Sequence, residues 1–305
     1  MEDKPNFSTG SDSIQHVILL MLENHSFDQM LGDLKRIYPE MDGVDQGDLK
    51  SNPNGKGENI FQSPMKETQM VHDPSHETSD VLDQLSGENQ GFVSNFLKYF
   101  SSSAKDEQEA IMGFYPLDFL PALHTLARYF TICDHWFSSV PGPTWANRFF
   151  ALTGTTLGEV KMPENRQNFQ MLTDQTQPTI FDRLDHRNKT WNVFYYDFPS
   201  SLILKSQREP NKLNKYKVID RFFDACKQSA ADFPEFCLIE PKYFGFDQND
   251  DHPPHNVMKS QKLIADIYNA IRTNTELWES SLLVINYDEH GGFFDHVIPP
   301  KTIPP

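Results

Sequence analysis

Four apolar segments of the chain end in acidic or amide side chains, and this pattern constrains the fold more than any other feature. The segments are 16–22, 190–196, 236–239 and 281–287, and the groups that follow them are Glu23-Asn24, Asp197, Glu240 and Asp288-Glu289. The first, HVILLML, is almost continuously apolar, which is typical of a strand covered on both faces. Helical patterns lie between the segments. The alternation predicts an α/β fold with a mostly parallel central sheet and helices on both faces.

The helices are predicted from apolar residues at helical spacing. The clearest helical patterns are 91–100, 107–115, 120–130 and 257–274, the last with an amphipathic stripe. Segment 130–137, FTICDHWF, is expected to form a short strand. Segment 39–80 is rich in Asn, Gly, Pro, Asp and Gln and predicts a long surface excursion, which in a compact domain is usually functional. We expect residues 1–305 to form a single domain.

Composition excludes several classes of partner. The net charge of −16 argues against nucleic acid, because proteins that bind it normally carry a basic face. No apolar window is long enough for a membrane span. The polar, acidic N-terminus predicts no signal peptide, and hence a cytoplasmic protein or export without a signal. The cysteines, Cys133, Cys226 and Cys237, have spacings that suit neither a zinc ribbon nor a disulfide framework, so buried reduced thiols are expected.

The strand-end groups are candidates for a metal site. Ligands bind beyond the carboxyl ends of the strands in open α/β sheets, and carboxylates gathered there repel one another unless a cation holds them together. In DEHGGFFDH, two glycines after Asp288 and Glu289 allow a close turn, and Asp295 and His296 follow soon after. Oxygen and nitrogen ligands of this kind suit divalent cations. For DEHGG alone, a solvated turn stays an alternative.

Thr144 is a candidate nucleophile. In PGPTWANRFFALTG it follows Pro143 and begins a predicted helix that ends before Gly154. A phosphate at that helix N-terminus meets free N–H groups and the positive end of the dipole. A threonine hydroxyl is a poor nucleophile until a base or metal activates it, so a simple capping role is the alternative.

Two loops combine histidines with acids and are candidates for phosphate chemistry. HDPSH carries His72 and His76, and DDHPPH carries His252 and His255. Imidazoles can ligate a metal, hold phosphoryl oxygens or protonate a leaving group. We consider His76 and His252 functional. By contrast, His16, His124 and His186 lie in ordinary strand or helix contexts and receive no role.

Five motifs occur in a fixed order: LENHSFDQMLG, DPSH, PGPTWANR, DDHPP and YDEHGGFFDHVIPP. Together they resemble the phosphoesterase family that contains bacterial and fungal phospholipases C of the non-haemolytic type and respiratory-burst-inhibiting acid phosphatases. The resemblance spans about residues 14–300 and implies an alkaline-phosphatase-like α/β core with at least one divalent metal. Members of that family usually continue past DHVIPP with a further strand and helix, and we expect those elements to be absent after residue 305.

The resemblance also assigns roles residue by residue. It implies a metal held by Glu23, Asn24, Asp288 and Glu289 together with Thr144, which is the implied nucleophile. His76 and His252 are implied to face the phosphate. The candidates for supporting roles are His72, Asp295, His296, Arg148 and Glu240. Zinc suits this mixture of ligands best, and calcium or magnesium remains an alternative.

The expected activity is that of a phospholipase C. It would cleave glycerophospholipids of the phosphatidylcholine type to diacylglycerol and a phosphorylated head group through a phosphothreonine intermediate. Peripheral contact with a membrane is expected, with GFFDHV and DFLPALHTLARYF as candidate apolar rims. The alternatives are an acid phosphatase acting on phosphomonoesters and a non-catalytic, truncated relative acting as a binding or effector protein. A serine esterase is disfavoured because no G-x-S-x-G elbow occurs.

Overall fold

A computed structural model of the chain describes residues 13–158, 160–162, 166–174 and 176–302. Its strands are β1 (His16–Leu22), β2 (Ser51–Pro53), β3 (Asn59–Phe61), β4 (Ser63–Pro64), β5 (Gly113–Phe114), β6 (Trp191–Tyr195), β7 (Tyr216–Val218), β8 (Phe236–Glu240) and β9 (Ser281–Tyr287). The main sheet has the strand order β7-β6-β8-β1-β9, and every neighbouring pair in it is parallel. The predicted parallel sheet is therefore confirmed, with the four predicted apolar segments as its longer strands.

Helices cover both faces of this sheet. They are α1 (Phe27–Leu31), α2 (Thr78–Gln84), α3 (Ser86–Asn89), α4 (Phe92–Tyr99), α5 (Lys105–Ile111), α6 (Pro121–Tyr129), α7 (Thr144–Thr153), α8 (Arg166–Thr173), α9 (Ile180–His186), α10 (Asp220–Ala225), α11 (Val257–Arg272) and α12 (Thr275–Glu279). Short 3-10 helices cover Gly32–Arg36, Ser200–Ile203, Lys205–Arg208, Leu213–Lys215 and Ala230–Asp232. The four helices predicted from spacing are all present, with boundaries shifted by a few residues.

Alternation along the strands assigns each face its own core. In β1, Ile18, Leu20 and Leu22 pack in a cluster with residues of α4, α6, α10 and α11. Val17 and Leu19 point the other way and pack with residues of α7 and α9. Because successive side chains of a strand point to opposite faces, an almost unbroken apolar run is what a doubly covered strand requires.

Three expectations from the sequence need correction. Segment 130–137 forms no strand and lies outside the sheet. Much of it is exposed, so its apolar residues do not pack as a buried strand would. The excursion 39–80 is less of a surface feature than predicted, since it carries short strands and buries Met41, Val44 and Ile60. Cys226 and Cys237 are buried free thiols as expected, but Cys133 is exposed. Within the described residues, no helix combines the length and the apolar character that crossing a membrane requires.

Candidate active site

Strand register brings the acidic groups of three strands to one edge of the sheet. Leu22 pairs with Tyr287, so Glu23 and Asp288 follow side by side. Leu20 pairs with Ile239, and Glu240 therefore ends the neighbouring strand beside Met21, two residues before Glu23. Glu23, Glu240, Asp288 and Glu289 are all buried. The other acidic end, Asp197, lies apart from this group and accepts hydrogen bonds from the backbone N–H groups of residues 243 and 244.

Two glycines let three sequence motifs meet at this edge. Gly291 has φ of +61°, and a Cβ atom there would lie 2.4 Å from the carbonyl oxygen of Asn24. Gly292 has φ of +80°, and a Cβ atom there would lie 2.7 Å from the side chain of Pro74. Any side chain would push these loops apart. The glycines of DEHGG therefore bring ENHS and DPSH against Glu289.

Arg148 lies at the centre of the acidic group. From α7 its guanidinium contacts Glu23 at 3.1 Å, Glu240 at 3.2 Å and Asp288 at 3.0 Å. Burial lowers the pKa of Arg148, but Tyr243 and the surrounding carboxylates outweigh it and raise the pKa well above its usual value. Glu240 also accepts hydrogen bonds from Ser200 and Tyr243, so we infer that it anchors Arg148. One guanidinium thus faces three carboxylates, which leaves negative charge uncompensated.

Thr144 is the first residue of α7, and its hydroxyl does not cap the helix. No side-chain capping bond is made at this end, and Thr144 Oγ1 donates to Glu289 Oε1 at 2.9 Å. The turn before it is held by Asn147, whose side chain donates to Gly142 O and accepts from Val140 N. Gly154 ends the helix with φ of +73°. Since Pro143 precedes Thr144 without an N–H group, the free N–H donors of α7 begin at residue 144 itself.

Unpartnered buried atoms indicate that the acidic edge fits a cation. Asn24 Oδ1 and Glu289 Oε2 are buried and have no hydrogen-bond partner among the described residues. Asn24 sits at φ of +62°, a strained conformation for a residue with a side chain, and its Nδ2 lies 3.2 Å from His76 Nε2. The amide thus donates to His76 and leaves its oxygen free. Burial raises the pKa of Glu23 and of Glu289 well above normal, and neighbouring carboxylates add to both effects. This donor set fits a divalent metal.

The two predicted histidines line the approach to Thr144. His76 Nε2 lies 3.8 Å from Glu289 Oε1, and the rings of His76 and His252 are 5.9 Å apart. Side-chain exposure rises outward, from 1% for Glu289 to 13% for His76 and 28% for His252. Each ring uses Nδ1 to donate to a backbone carbonyl, His76 to Pro74 and His252 to Pro253. The Nε2 atom of His252 therefore faces the open side of the site, whereas Nε2 of His76 accepts the hydrogen bond from Asn24 Nδ2.

Some neighbouring groups act as scaffold. His25 bonds Gln29 and the carbonyl of Asp251, and burial lowers its pKa to about 4. His72, a predicted supporting residue, bonds Glu107 at 2.7 Å and packs on Phe100. The ring of Tyr243 lies 5.4 Å from the guanidinium of Arg148. Tyr243 was not identified from the sequence. The one signal for it in the sequence is its position three residues after the strand-end Glu240.

Asp295 and His296, the other predicted supporting residues, belong to a second cluster with Asp28. The ligand atoms of the three residues lie within 4.8 Å of one another and could hold a metal ion. Their polar atoms are already paired, however. His296 bonds Asp28 at 2.8 Å and Asp42 at 2.9 Å, and Asp295 accepts from the N–H groups of Asp28 and Val297. The structure therefore places them outside the acidic edge that carries Thr144.

Comparisons with known proteins give one consistent result. Residues 14–305 match the Phosphoesterase family. The chain is 33% identical to non-specific phospholipase C5 of Arabidopsis thaliana, over 95% of this chain and 58% of that protein. It is 27% identical to phospholipase C B of Mycobacterium tuberculosis, over 96% of this chain and 61% of that protein. It is 27% identical to the non-hemolytic phospholipase C of Pseudomonas aeruginosa, over 95% of this chain and 43% of that protein. The chain thus spans about half the length of these relatives.

Proposed function

The chain belongs to the Phosphoesterase family, and from that premise we propose that it is a metal-dependent phospholipase C that cleaves glycerophospholipids of the phosphatidylcholine type. The observation that carries the proposal is the hydrogen bond from Thr144 to Glu289, at the edge where buried oxygens of Asn24 and Glu289 lack partners in the described part of the chain. A hydroxyl, a base within hydrogen-bond reach and a cation site together are what phosphoryl transfer to an enzyme side chain needs. The relatives named phospholipase C support the same reaction.

The proposed metal ligands are Glu23, Asn24, Thr144, Asp288 and Glu289. When bound, the cation supplies positive charge that stabilises the developing alkoxide and the phosphoryl oxygens. Zinc suits the site, and calcium or magnesium is the alternative that a metal-dependence series would identify. We further propose that residues 1–305 act as one catalytic domain, since the proposed ligands come from both ends of the described chain, from Glu23 to Glu289.

The chain's own residues supply the acid–base steps. Glu289 is positioned to accept the proton of Thr144 as Oγ1 attacks phosphorus. The N-terminus of α7 can donate backbone N–H groups to phosphoryl oxygens. His76 faces the same space, and we propose that its Nε2 exchanges the hydrogen bond with Asn24 for one to a phosphoryl oxygen. His252 lies farther out, where the leaving group departs. In the second half-reaction, water attacks phosphorus and passes a proton to His252. The bond between Thr144 Oγ1 and phosphorus breaks, and the phosphorylated head group is released.

An aromatic rim next to the nucleophile favours a lipid substrate over a small phosphomonoester. We define the rim as the connected rings of Trp145, Phe198 and Phe244, together with the exposed Phe246 that follows two residues after Phe244 in the same loop. Ring centroids are 6.3 Å apart for Trp145 and Phe198, and 6.2 Å apart for Phe198 and Phe244. Phe244 is 63% exposed and Phe246 is 89% exposed. Large exposed aromatics in a connected group beside a site suit apolar chains and peripheral contact with a lipid surface.

Of the rims expected from the sequence, GFFDHV is wrong, whereas DFLPALHTLARYF buries its two core leucines but exposes Tyr129 and Phe130 and stays a prediction. In GFFDHV, Phe293 and Phe294 are buried in the core against the sheet. In the other segment, Leu120 and Leu123 are buried in the same cluster. Apolar composition alone does not separate a core segment from a rim.

Turnover of two substrates tests the proposed function. The protein is stripped of metal, and hydrolysis of phosphatidylcholine and of p-nitrophenyl phosphate is measured before and after zinc, calcium or magnesium is restored. We expect diacylglycerol release that depends on a divalent cation and exceeds phosphomonoester turnover. Faster cleavage of p-nitrophenyl phosphate would instead identify an acid phosphatase. Turnover of neither ester with any metal would identify a non-catalytic relative.

Substitution of the aromatic rim tests the lipid substrate separately. Phe246→Ser should lower activity on phosphatidylcholine vesicles several-fold and leave activity on a short-chain, soluble phosphatidylcholine unchanged. Phe61→Ser is the matched control, because Phe61 is also exposed, at 56%, but lies on β3 in the excursion. Equal effects of the two substitutions would remove the aromatic rim from the argument.

A further inference from the structure

Asp73 is a carboxylate among histidines for which the reaction above provides no role. It lies in DPSH, and its Oδ2 atom is 3.9 Å from His252 Nε2. Its Oδ1 atom is buried and has no hydrogen-bond partner within the described part of the chain. Burial raises the pKa of Asp73, while His252, His76 and His255 lower it. These three histidines are the titratable groups that act on Asp73, whose side chain is 41% exposed, so its carboxylate faces imidazole rings on one side and solvent on the other.

The hydrogen bonds of His252 determine which of its atoms can release a proton. Nδ1 donates to the carbonyl of Pro253 at 2.6 Å, so a neutral ring carries its lone pair on Nε2. Only the doubly protonated ring has a proton on Nε2 to give. The other charged or titratable groups around His252 are His76, His255, His25 and Asp250, the last of which accepts the backbone N–H of His252 at 3.2 Å. His255 already bonds the carboxylate of Asp250.

We propose that Asp73 is a positioning residue for His252: its carboxylate faces Nε2 and stabilises the positive charge of the ring from which Nε2 donates a proton to the leaving-group oxygen. The inference rests on the proposed phospholipase C function and extends it to the leaving group. A carboxylate at 3.9 Å stabilises positive charge on the ring, yet this distance is too long for a hydrogen bond. The Nε2 proton is therefore favoured energetically without being bound to Asp73.

The proton balance of the step is complete. As the Thr144 Oγ1–phosphorus bond forms, the hydroxyl proton passes to Glu289 Oε1. The bond between phosphorus and the diacylglycerol oxygen breaks, and that oxygen takes the Nε2 proton of His252. His252 is then neutral, and Nε2 can accept a proton from the water that attacks the phosphorylated threonine. Cleavage of the Oγ1–phosphorus bond returns the proton from Glu289 to Thr144, and Asp73 again faces an imidazolium.

Leaving-group dependence separates this role from a structural one. Asp73→Asn removes the charge and keeps the shape. It should lower kcat for phosphatidylcholine, whose alkoxide must be protonated, by about 10²-fold. For p-nitrophenylphosphocholine, whose phenolate departs without a proton, we expect little change in the first half-reaction, measured as the rate of the p-nitrophenolate burst. Asp73→Glu keeps the charge and should restore part of the loss. In a His252→Ala background, Asp73→Asn should cause no further loss on either ester.

Asp80→Asn is the matched control, because Asp80 bonds Ser75, Asn95 and Tyr99 of the neighbouring scaffold. Asp80→Asn should change the rates on both esters by the same factor. The role of Asp73 is overturned if Asp73→Asn also affects both esters equally, or if its effect adds to that of His252→Ala. If the wild-type protein cleaves both esters and Asp73→Asn gives either of these results, only the role of Asp73 is contradicted and the proposed function stands. A wild-type protein that cleaves neither contradicts the proposed function and this role together.

Discussion

Two acidic clusters on this chain look alike in sequence and differ in how their hydrogen bonds are satisfied. The strand-end cluster consists of Glu23, Asn24, Asp288 and Glu289 with Arg148 and Glu240. The latch cluster, as we name it, consists of Asp28, Asp42, Asp295 and His296. In the latch, both nitrogens of His296 and both carboxylate oxygens of Asp295 have partners. In the strand-end cluster, buried oxygens of Asn24 and Glu289 have none among the described residues.

This difference indicates which cluster needs an external charge. Proximity of ligand atoms alone selects Asp28, Asp295 and His296. Buried polar atoms are normally paired in folded proteins, so an unpaired group points to a ligand that completes it. The latch supplies its own cation, because Asp28 raises the pKa of His296 to about 9. The strand-end cluster has one guanidinium against an excess of carboxylates, and this is why the metal site is proposed there.

The largest predicted effect is that of Thr144→Ala on turnover. If Thr144 is the nucleophile bonded to Glu289, the substitution should lower kcat by about 10³-fold or more. A purely structural threonine at this helix end would affect stability by about 1 kcal/mol and leave turnover nearly intact. Thr144→Ser, which keeps the hydroxyl, should retain part of the activity. Measurement of kcat on folded, metal-loaded protein distinguishes the nucleophilic role from the structural one. The mechanism is falsified if Thr144→Ala keeps more than a few per cent of wild-type turnover.

Much of the strand-end cluster was predictable from sequence because local patterns define it. The run His16–Leu22 predicts a doubly covered strand, and the rule for open α/β sheets predicts that its polar end meets those of its neighbours. What the sequence did not provide was register and side-chain direction. Asp197 ends a strand as Glu240 does, yet it bonds backbone N–H groups in place of Arg148.

The sequence also did not reveal that Asp295 lies apart from the DEHGG turn, because side-chain direction there is set by tertiary packing. The six residues between Asp288 and Asp295 do not reveal that Phe293 and Phe294 enter the core. Burial of those two rings, which depends on the tertiary packing of β1 and α4, places Asp295 beside Asp28. Likewise, the exposed aromatic loop at Phe244 and Phe246 has no local pattern that distinguishes it from a core segment.

The second prediction compares the clusters directly by their metal content. Glu289→Gln should weaken metal binding by more than the roughly 10–100-fold attributable to a partner of a ligand. His296→Gln should leave the bound metal unchanged. Elemental analysis after dialysis against a weak chelator measures both variants beside the wild type. Loss of the metal in His296→Gln with retention in Glu289→Gln would reverse the assignment of the two clusters.

The third prediction concerns the stability that Arg148 provides. Arg148→Met leaves Glu23, Glu240 and Asp288 buried without their cation and should lower the free energy of unfolding by about 3–5 kcal/mol. Arg128→Met is the matched control, since Arg128 pairs with the largely exposed Asp118 and should change stability by less than about 1 kcal/mol. Denaturant titration of metal-free protein measures both. Equal losses for the two variants would show that the buried guanidinium is no more important than a surface one.

The smallest effect, and the sharpest test of the latch, is its pH dependence. His296 has its pKa raised from 6.5 to about 9, first by the hydrogen bond to Asp28. A raised histidine pKa contributes stability that is complete below the unfolded value and is lost as pH rises through the folded value. The groups facing His296 are Asp28, Asp42 and Asp295, with His135 on the far side of Asp42. Burial raises the pKa of Asp295 to about 7, so its titration overlaps the lower end of the pH range between the two His296 values, and Asp295 is present in wild type and variant alike.

Between about pH 7 and pH 9.5, the free energy of unfolding should therefore fall by about 1–2 kcal/mol more for the wild type than for His296→Gln. This figure allows for screening at the exposed side of Asp42. His135→Gln, which removes only the outer partner of Asp42, should behave almost as wild type does. Urea titrations across this range measure the difference. If wild type and His296→Gln lose stability in parallel, the folded latch holds a neutral histidine. Its carboxylates would then be uncompensated as well, and the latch would become as good a candidate for a cation as the strand-end cluster.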